Sequence, residues 1–392
     1  MPLQHHFSWL LILFLFFCIN GCSVNPVTGE EHFLLPSKST DYQIGQSQYK
    51  PAQQSQGGAY LLDPQLSAYV SSVGKKLAAV SDAPNLPYEF VVLNNSTPNA
   101  WALPSGKIAI NRGLLLELNN EAQLAAVLGH EIVHAAARHG AQQMRNQQFV
   151  QLGLAGLGIA LVDNDYRSIV IGGAALGAQL TSAKYGRGNE LESDEYGMKY
   201  MAKAGYDLQA AVELQEIFLS FSKQGSSSWL EGLFASHPPS EERVQKNRDH
   251  IASLSNQSGY RGEQAYMNAT KYIRTKAPAY DAASKAAKAL AENRMNEAEK
   301  LIKQAIEQEP NEAQFHSLAG SIYQAKGNHD LALAEHNKAT KLNPEQFSYY
   351  LARGESFAMQ GQYKLALVDF EKSMSLLPTS KALAYIKQLT GT

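Results

Sequence analysis

The sequence predicts a mainly helical chain in two parts: an α+β domain with a small sheet, then an α-solenoid. Three observations carry that prediction. His130-Glu131-Ile132-Val133-His134 lies inside a helical apolar pattern, Tyr88 to Leu93 and Lys107 to Asn111 read as strands, and the last third of the chain repeats with a period of 34 residues. At 392 residues and 44% apolar content, the chain is long enough for two or three domains with proper cores. A net charge of -2, with no basic stripe or aromatic RNA motif, gives no sign of nucleic-acid binding.

The first element is a targeting segment, residues 1–21. Trp9 to Ile19 is an apolar run of about 17 Å as a helix, too short for a ~30 Å hydrocarbon core and suited to a signal h-region. It ends in Ile19-Asn20-Gly21-Cys22, which resembles a bacterial lipobox, where the Cys is lipidated and becomes the mature N-terminus. The stretch from Met1 to Phe7 has no Lys or Arg, which leaves an uncleaved anchor or a simple signal peptide as alternatives. Cys18 and Cys22 are the only cysteines, so cleavage leaves no internal disulfide and Cys22 is expected to carry the lipid. Ser23, where an inner-membrane lipoprotein often has Asp, points to the outer membrane of a Gram-negative cell. Residues 22–60 are expected to be an anchor and linker.

A globular domain is expected over residues 61–255. Ala100-Trp101-Ala102-Leu103 joins the strand at Lys107 through a Pro104-Ser105-Gly106 turn, and such a strand beside the active-site helix either pairs with an extended substrate or is an ordinary internal strand. Asn120 followed by Gln123 reads as an N-cap with its capping-box partner, and Leu124, Val127, Leu128 and Ile132 supply the apolar face of the helix it opens. His130 and His134, at i and i+4, put two imidazoles on one face, the arrangement that grips one divalent metal with Glu131 as general base. His139 is read as a surface or outer-sphere residue, about 140° further round the helix. Val150 to Val162 and Ile169 to Leu180 read as short buried or cleft-covering helices, with contact to the membrane as the alternative. In Asn189-Glu190-Leu191-Glu192-Ser193-Asp194-Glu195, Glu190 and Asp194 share a helical face; one carboxylate can ligate while the other orients a ligating histidine, or both simply favour a helix start.

Those residues, with Pro98 to Pro104, Ile108 to Leu114 and Ser236-His237-Pro238-Pro239, resemble the HtpX-like and CAAX-prenyl-protease family of zinc metallopeptidases, family forty-eight in the usual ordering, over roughly residues 25 to 250. Ala137 and Gly140, where metzincins carry Gly and His, set that other class aside. The resemblance implies a zincin-like fold and one Zn2+ per chain. It implies Glu190 as third ligand, Glu131 as base and Asp194 as a supporting residue, with Glu192 and Glu195 as bystanders. His237, on a backbone stiffened by Pro238 and Pro239, is expected to be a fourth ligand at rest, an oxyanion donor helped by Arg243, or a loop histidine with a structural hydrogen bond.

Residues 262–392 form the array. Pro310, Pro344 and Pro378 share the 34-residue spacing, as do Ala298, Ala332 and Ala366; Ala286, Gly320 and Gly354; and Ala305, Ala339 and Ser373. Each unit reads as two short helices and resembles a tetratricopeptide repeat. The first unit departs from the others, with Asn293 where they have Gly327 and Gly361, and Gln264 to Ala277 is either a further helix pair or a cap. The expectation is a periplasmic, lipid-anchored zinc endopeptidase acting on misfolded or stalled envelope proteins, outer-membrane β-barrels or their assembly machinery among them. The competing expectation is a chaperone or adaptor working through its repeats, with a latent protease.

Overall fold

The structure, a computed structural model, describes residues 22–33, 37–146, 184–223, 225, 232–253 and 258–391. The expected signal segment and the two apolar runs after Val150 lie outside the described residues. No described helix is long and apolar enough to cross a membrane.

A hairpin of β1 (Cys22–Val24) and β2 (Glu31–Phe33) opens the described chain. It is followed by α1 (Lys38–Ser55), whose N-cap Ser37 accepts from the Thr40 amide. Residues 22–60, expected as anchor and linker, are thus built into the domain, since Tyr49 and Ala52 of α1 are buried against the sheet. Next comes α2 (Pro64–Ala78), capped by Asp63 with Pro64 in its first turn.

The sheet is three-stranded, in the order β3 (Glu89–Leu93), β5 (Lys107–Asn111), β4 (Ala100–Leu103). β3 runs parallel to β5 and β4 antiparallel to it. Ser105 and Gly106 take positive φ, 65° and 81°, in the tight turn between β4 and β5. Side-chain alternation gives the sheet two dry faces. Val92, Ala100, Ala102, Ile108 and Ile110 join the main core, while Leu93, Trp101, Leu103 and Ala109 pack with Tyr49 and Ala52.

Beyond the sheet come α3 (Arg112–Glu117), α4 (Glu121–Ala136), a helical stretch at 139–146, α5 (Arg187–Lys203), α6 (Gln209–Lys223), the one-turn α7 (Leu233–Ser236) and α8 (Glu241–Ser253). The array follows with α9 (Glu263–Ala269), α10 (Lys271–Ala291), α11 (Met295–Gln308), α12 (Ala313–Ala325), α13 (His329–Leu342), α14 (Phe347–Met359), α15 (Tyr363–Leu376) and α16 (Ser380–Thr390). Asn293 does at its turn what Gly327 and Gly361 do at theirs. All three are left-handed, with φ of 59°, 77° and 72°, and Asn is the side chain that best tolerates that region after Gly.

The upstream stretch spans α9 and the start of α10 and packs on the peptidase domain. Tyr266 donates its hydroxyl to Leu115 O at 2.7 Å, and Arg274 reaches Leu116 O and Leu118 O at 3.1 and 2.6 Å, so α9 and the start of α10 hold the array against α3. Arg112, fully buried, stacks 3.4 Å over the Tyr280 ring. A single apolar core runs from Val27 through to Ile322 of the middle repeat.

Candidate metal centre

The helix that carries the two histidines is fixed at its start. Asn120 Oδ1 accepts from the Gln123 amide at 2.9 Å, while Gln123 Oε1 accepts from the Asn119 amide at 2.8 Å. From that start, Leu124, Leu128 and Ile132 point into the core and His130 and His134 toward α5. Two glycines let the helices close on each other. A Cβ on Gly197 would stand 3.1 Å from the His130 amide nitrogen, and one on Gly129 would stand 3.2 Å from Gly197 O. That close crossing brings Glu190 and Asp194, one turn apart on α5, under the imidazoles.

Asp194 Oδ1 lies 2.9 Å from His130 Nδ1, and His139 Nδ1 lies 2.9 Å from His134 Nδ1. With both Nδ1 atoms engaged, both Nε2 atoms face inward, 3.0 Å apart. Glu190 Oε1 is 3.3 Å from His134 Nε2, and Glu190 Oε2 is 3.5 Å from His130 Nε2. His237, held by its amide's 2.7 Å bond to Leu233 O, brings Nδ1 to 3.3 Å from His130 Nε2 and 3.0 Å from Glu190 Oε1. One ligand atom from each of His130, His134, Glu190 and His237 lies within 4.8 Å of the others, and all four residues are buried. Tetrahedral zinc with bonds near 2.0–2.1 Å has ligand-to-ligand edges of about 3.3 Å, so these separations of 3.0 to 3.5 Å suit a divalent cation. Buried Glu131 Oε2 has no hydrogen-bond partner, as expected of a group that faces a ligand, while His237 Nε2, on the other side of the ring from Nδ1, lies 3.6 Å from Glu131 Oε1.

Arg243 of α8 is the counter-charge. Its Nε and Nη2 fork onto Asp194 at 2.7 Å each, Nη1 lies 2.7 Å from Glu190 Oε2, and the same Nη1 donates to Pro238 O at 3.3 Å. The guanidinium is therefore committed to two carboxylates and a carbonyl. Burial alone would raise the Glu190 and Asp194 carboxyls. For Glu190 it is outweighed by His237, Arg243 and His130, which hold it well below the usual range; for Asp194 it is outweighed chiefly by Arg243. Burial lowers both imidazoles; at His130 the Glu190 and Asp194 carboxylates overcome it and push the group up to about 9, whereas His134 stays well below its ordinary value. Glu131 is raised, first by burial, which makes it a ready proton acceptor.

Two residues, Glu192 and Tyr185, escaped sequence reasoning, and His139 takes the outer-sphere one of its two expected places. His139 is fully buried against His134 and not on the surface. Arg138 has φ 60°, so the helix breaks at Ala137 and a continued helical angle does not apply. Glu192, expected as a bystander, sits 3.5 Å from His139 Nε2 and accepts from Asn25 Nδ2 at 2.9 Å. Tyr185 stacks on His134 with ring centroids 3.9 Å apart. No residue type at Arg138, Asn25 or Tyr185 announces these contacts.

The sheet presents its β4 edge to this centre. Asn99 O accepts from the Asn111 amide, which fixes the parity: Trp101 and Leu103 bond toward β5, and Ala100 and Ala102 turn their main-chain groups outward. The next outward carbonyl, Pro98 O, accepts from the Leu233 amide at 2.9 Å, so the segment that delivers His237 already occupies the start of that edge.

The sequence model of peptidase family M48 matches residues 64–251, and a TPR repeat model matches residues 320–361. The chain is 31% identical over 195 residues to the metalloprotease YcaL of Escherichia coli K12, covering 48% of this chain and 74% of that one. It is 26% identical over 221 residues to the beta-barrel assembly-enhancing protease of Yersinia pestis, covering 55% of this chain and 45% of the relative, and 28% identical over 207 residues to the Escherichia coli K12 protein of the same name, covering 51% and 42%. The chain thus spans somewhat under half the length of these last two relatives. Among solved structures, the Arabidopsis OM64 TPR domain is similar over 30% of this chain and 98% of that one, at 20% identity and a TM-score of 0.29.

Proposed function

The chain belongs to peptidase family M48, and from that premise we propose that it is a zinc endopeptidase of the periplasm, anchored by lipid on Cys22 to the outer membrane. One observation carries the reading: the buried ligand atoms of His130, His134 and Glu190 converge on one point, with the Glu131 carboxylate beside them. A divalent cation held there supplies Lewis acidity, lowering the pKa of water toward neutrality and polarising a peptide carbonyl. Glu131 takes the proton of the attacking water and returns it to the leaving amine. Asp194 fixes the His130 ring through Nδ1, and Arg243 holds Asp194 and Glu190 ionised. An extended substrate pairs with the outward groups of Ala100 and Ala102.

His237 is the resting fourth ligand in this scheme, and it leaves before substrate enters. Its Nδ1 stands at the fourth corner, and its segment bonds to the substrate edge through Leu233. Arg243 acts as a positioning residue, since its donors are already engaged. Asn25 ties the hairpin to α5 three residues after Cys22, so lipid there would tether the Glu192 region of α5 through about 10 Å of extended chain. Misfolded or stalled envelope proteins, outer-membrane β-barrels in particular, are the proposed substrates, and the repeats are their contact surface or that of the assembly machinery.

A second reading, a chaperone or adaptor with a latent protease, rests on the same closed fourth corner. Zinc analysis and proteolysis of an unfolded protein by wild type and Glu131→Gln decide between them. The endopeptidase reading expects cleavage that vanishes in the variant while zinc stays. If neither protein cleaves and both still rescue an envelope defect, the adaptor reading takes its place.

A further inference from the structure

A small cavity of about 40 Å³ lies beside the candidate centre, bordered by His130, Glu131, Asp194, His237 and Arg243. Val127 lines it from one turn before Glu131, and Met198 and Met201 line it from four and seven residues after Asp194, so the helix faces that present the chemistry also shape this space. Ala211 and Leu214 of α6 close the opposite side. Two polar atoms in its lining, Ser193 Oγ and Gln215 Oε1, are buried and have no hydrogen-bond partner. Neither carries a charge.

We propose, resting on the endopeptidase reading, that this cavity is the pocket that selects the cleavage site, by admitting one uncharged side chain of Val, Thr, Ile or Leu size from a residue flanking the scissile bond. Size sets the upper limit. A water-sized group needs about 10–15 Å³ in this measure, so the space holds roughly three such groups and no aromatic ring. Chemistry sets the rest. The apolar walls favour methyl groups, and the unpaired Ser193 and Gln215 atoms give the hydroxyl of Thr a partner, so Thr and its near-isostere Val both fit. The charged groups that border the cavity are already paired with each other, Arg243 with Asp194 and Glu190, and Asp194 also with His130, so a charged side chain would have to displace one of these partners.

The test maps cleavage sites in an unfolded protein, using the zinc-loaded wild type, Ala211→Leu to fill the cavity and Leu214→Ala to enlarge it. Peptides varied at one flanking position are bound in parallel to the Glu131→Gln protein, a measurement that needs no turnover. At one flanking position the wild type should favour Val, Thr, Ile and Leu over Phe, Trp, Asp and Lys by roughly tenfold or more, the range a misfitted methylene or ring commands in an apolar pocket. Ala211→Leu should move that preference toward Ala and Ser, and Leu214→Ala toward Met and Phe. Flat preferences at both flanking positions, or the same shift in both variants, overturn the pocket while leaving the endopeptidase reading intact. Selective binding to Glu131→Gln with no cleavage by the wild type does the reverse. If both variants fail to fold, the wild-type profile alone decides.

Discussion

The peptidase domain and the repeat array both fork an arginine onto an aspartate, and the two forks do different work. In the array, Arg353 Nε and Nη2 grip Asp369 at 2.7 Å each, and Nη1 reaches Asn337 and Thr340. That fork sits at a part-exposed seam, with the arginine side chain 21% exposed, and it ties α13, α14 and α15 together. In the peptidase domain, Arg243 is buried, and its aspartate also orients a candidate metal ligand. The surrounding cores differ in the same way. In the array, Ala298, Ala332 and Ala366, with Gly320 and Gly354 each against a ring, let the helices approach closely around Ile302, Phe315, Ile322 and Phe370. The other core encloses His130, Glu131, His134, Glu190 and Asp194, polar groups that a fold retains at a cost in stability where chemistry needs them.

The sharpest way to break that contrast is to remove function from one region without touching its packing. Glu131→Gln keeps the shape and loses the base, so peptide hydrolysis should fall by about 10³-fold or more with zinc content unchanged, measured by metal analysis and turnover of an unfolded protein. Glu190→Ala should lose both. A Glu190→Ala protein that still holds stoichiometric zinc would move the third ligand elsewhere. In the array, Ala332→Ser should leave both measurements within error.

His237→Ala tests the closed corner, and its sign is informative. Removal of a resting ligand raises basal proteolysis or self-cleavage, whereas removal of an oxyanion donor lowers kcat by ~10²-fold or more with zinc retained. The geometry around Glu190 and His130 predicts the rise. Unchanged turnover and zinc affinity would leave His237 with only its structural contacts.

The two forks can then be compared directly by urea unfolding of the metal-free protein. Arg243→Ala strands Asp194 and Glu190 in a buried site and should cost about 3–5 kcal/mol. Arg353→Ala breaks a half-solvated fork and should cost about 1 kcal/mol. Equal losses would mean that the buried fork is no more than a seam.

Much of this contrast is legible in the sequence because it is written at helical spacing. The i, i+4 pairs His130/His134 and Glu190/Asp194 need only 3.6 residues per turn to share a face, and Asn120 with Gln123 caps locally. The array is legible for the same reason, since each repeat restates the small residues its neighbour packs against. What was hidden is set by topology. Asn25 and Glu192 are 167 residues apart, and nothing in either residue names the other. The turn at Arg138 was hidden too, because a left-handed arginine has no residue signature and it alone carries His139 back against His134. The packing of α1 on the far face of the sheet follows from burial of Tyr49 and Trp101, which a mostly polar helix sequence conceals.

The smallest expected effect sits where the array departs from its own pattern. His336 occupies the place of Ile302 and Phe370 in the flanking repeats, is buried, and has neither ring nitrogen hydrogen-bonded. Burial, reinforced by the charge of Arg353, pushes it down to about 4 from an ordinary 6.5. The unfolded chain therefore takes up the proton first, so this histidine removes stability as pH falls from about 6.5 to 4 and leaves it unaffected above that window. Between pH 7 and pH 5 the loss should be about 2 kcal/mol. His316 works in the opposite sense, because Glu335 overcomes its burial and raises it, so the total pH profile mixes the two. His336→Phe isolates the term. Gly320 leaves room for a ring there, as Gly354 does beside Phe370, so the variant should fold and be more stable than wild type, with the difference widening by about 2 kcal/mol from pH 7 to pH 5 in urea unfolding. A difference that stays constant with pH would show that His336 carries its proton in the folded array.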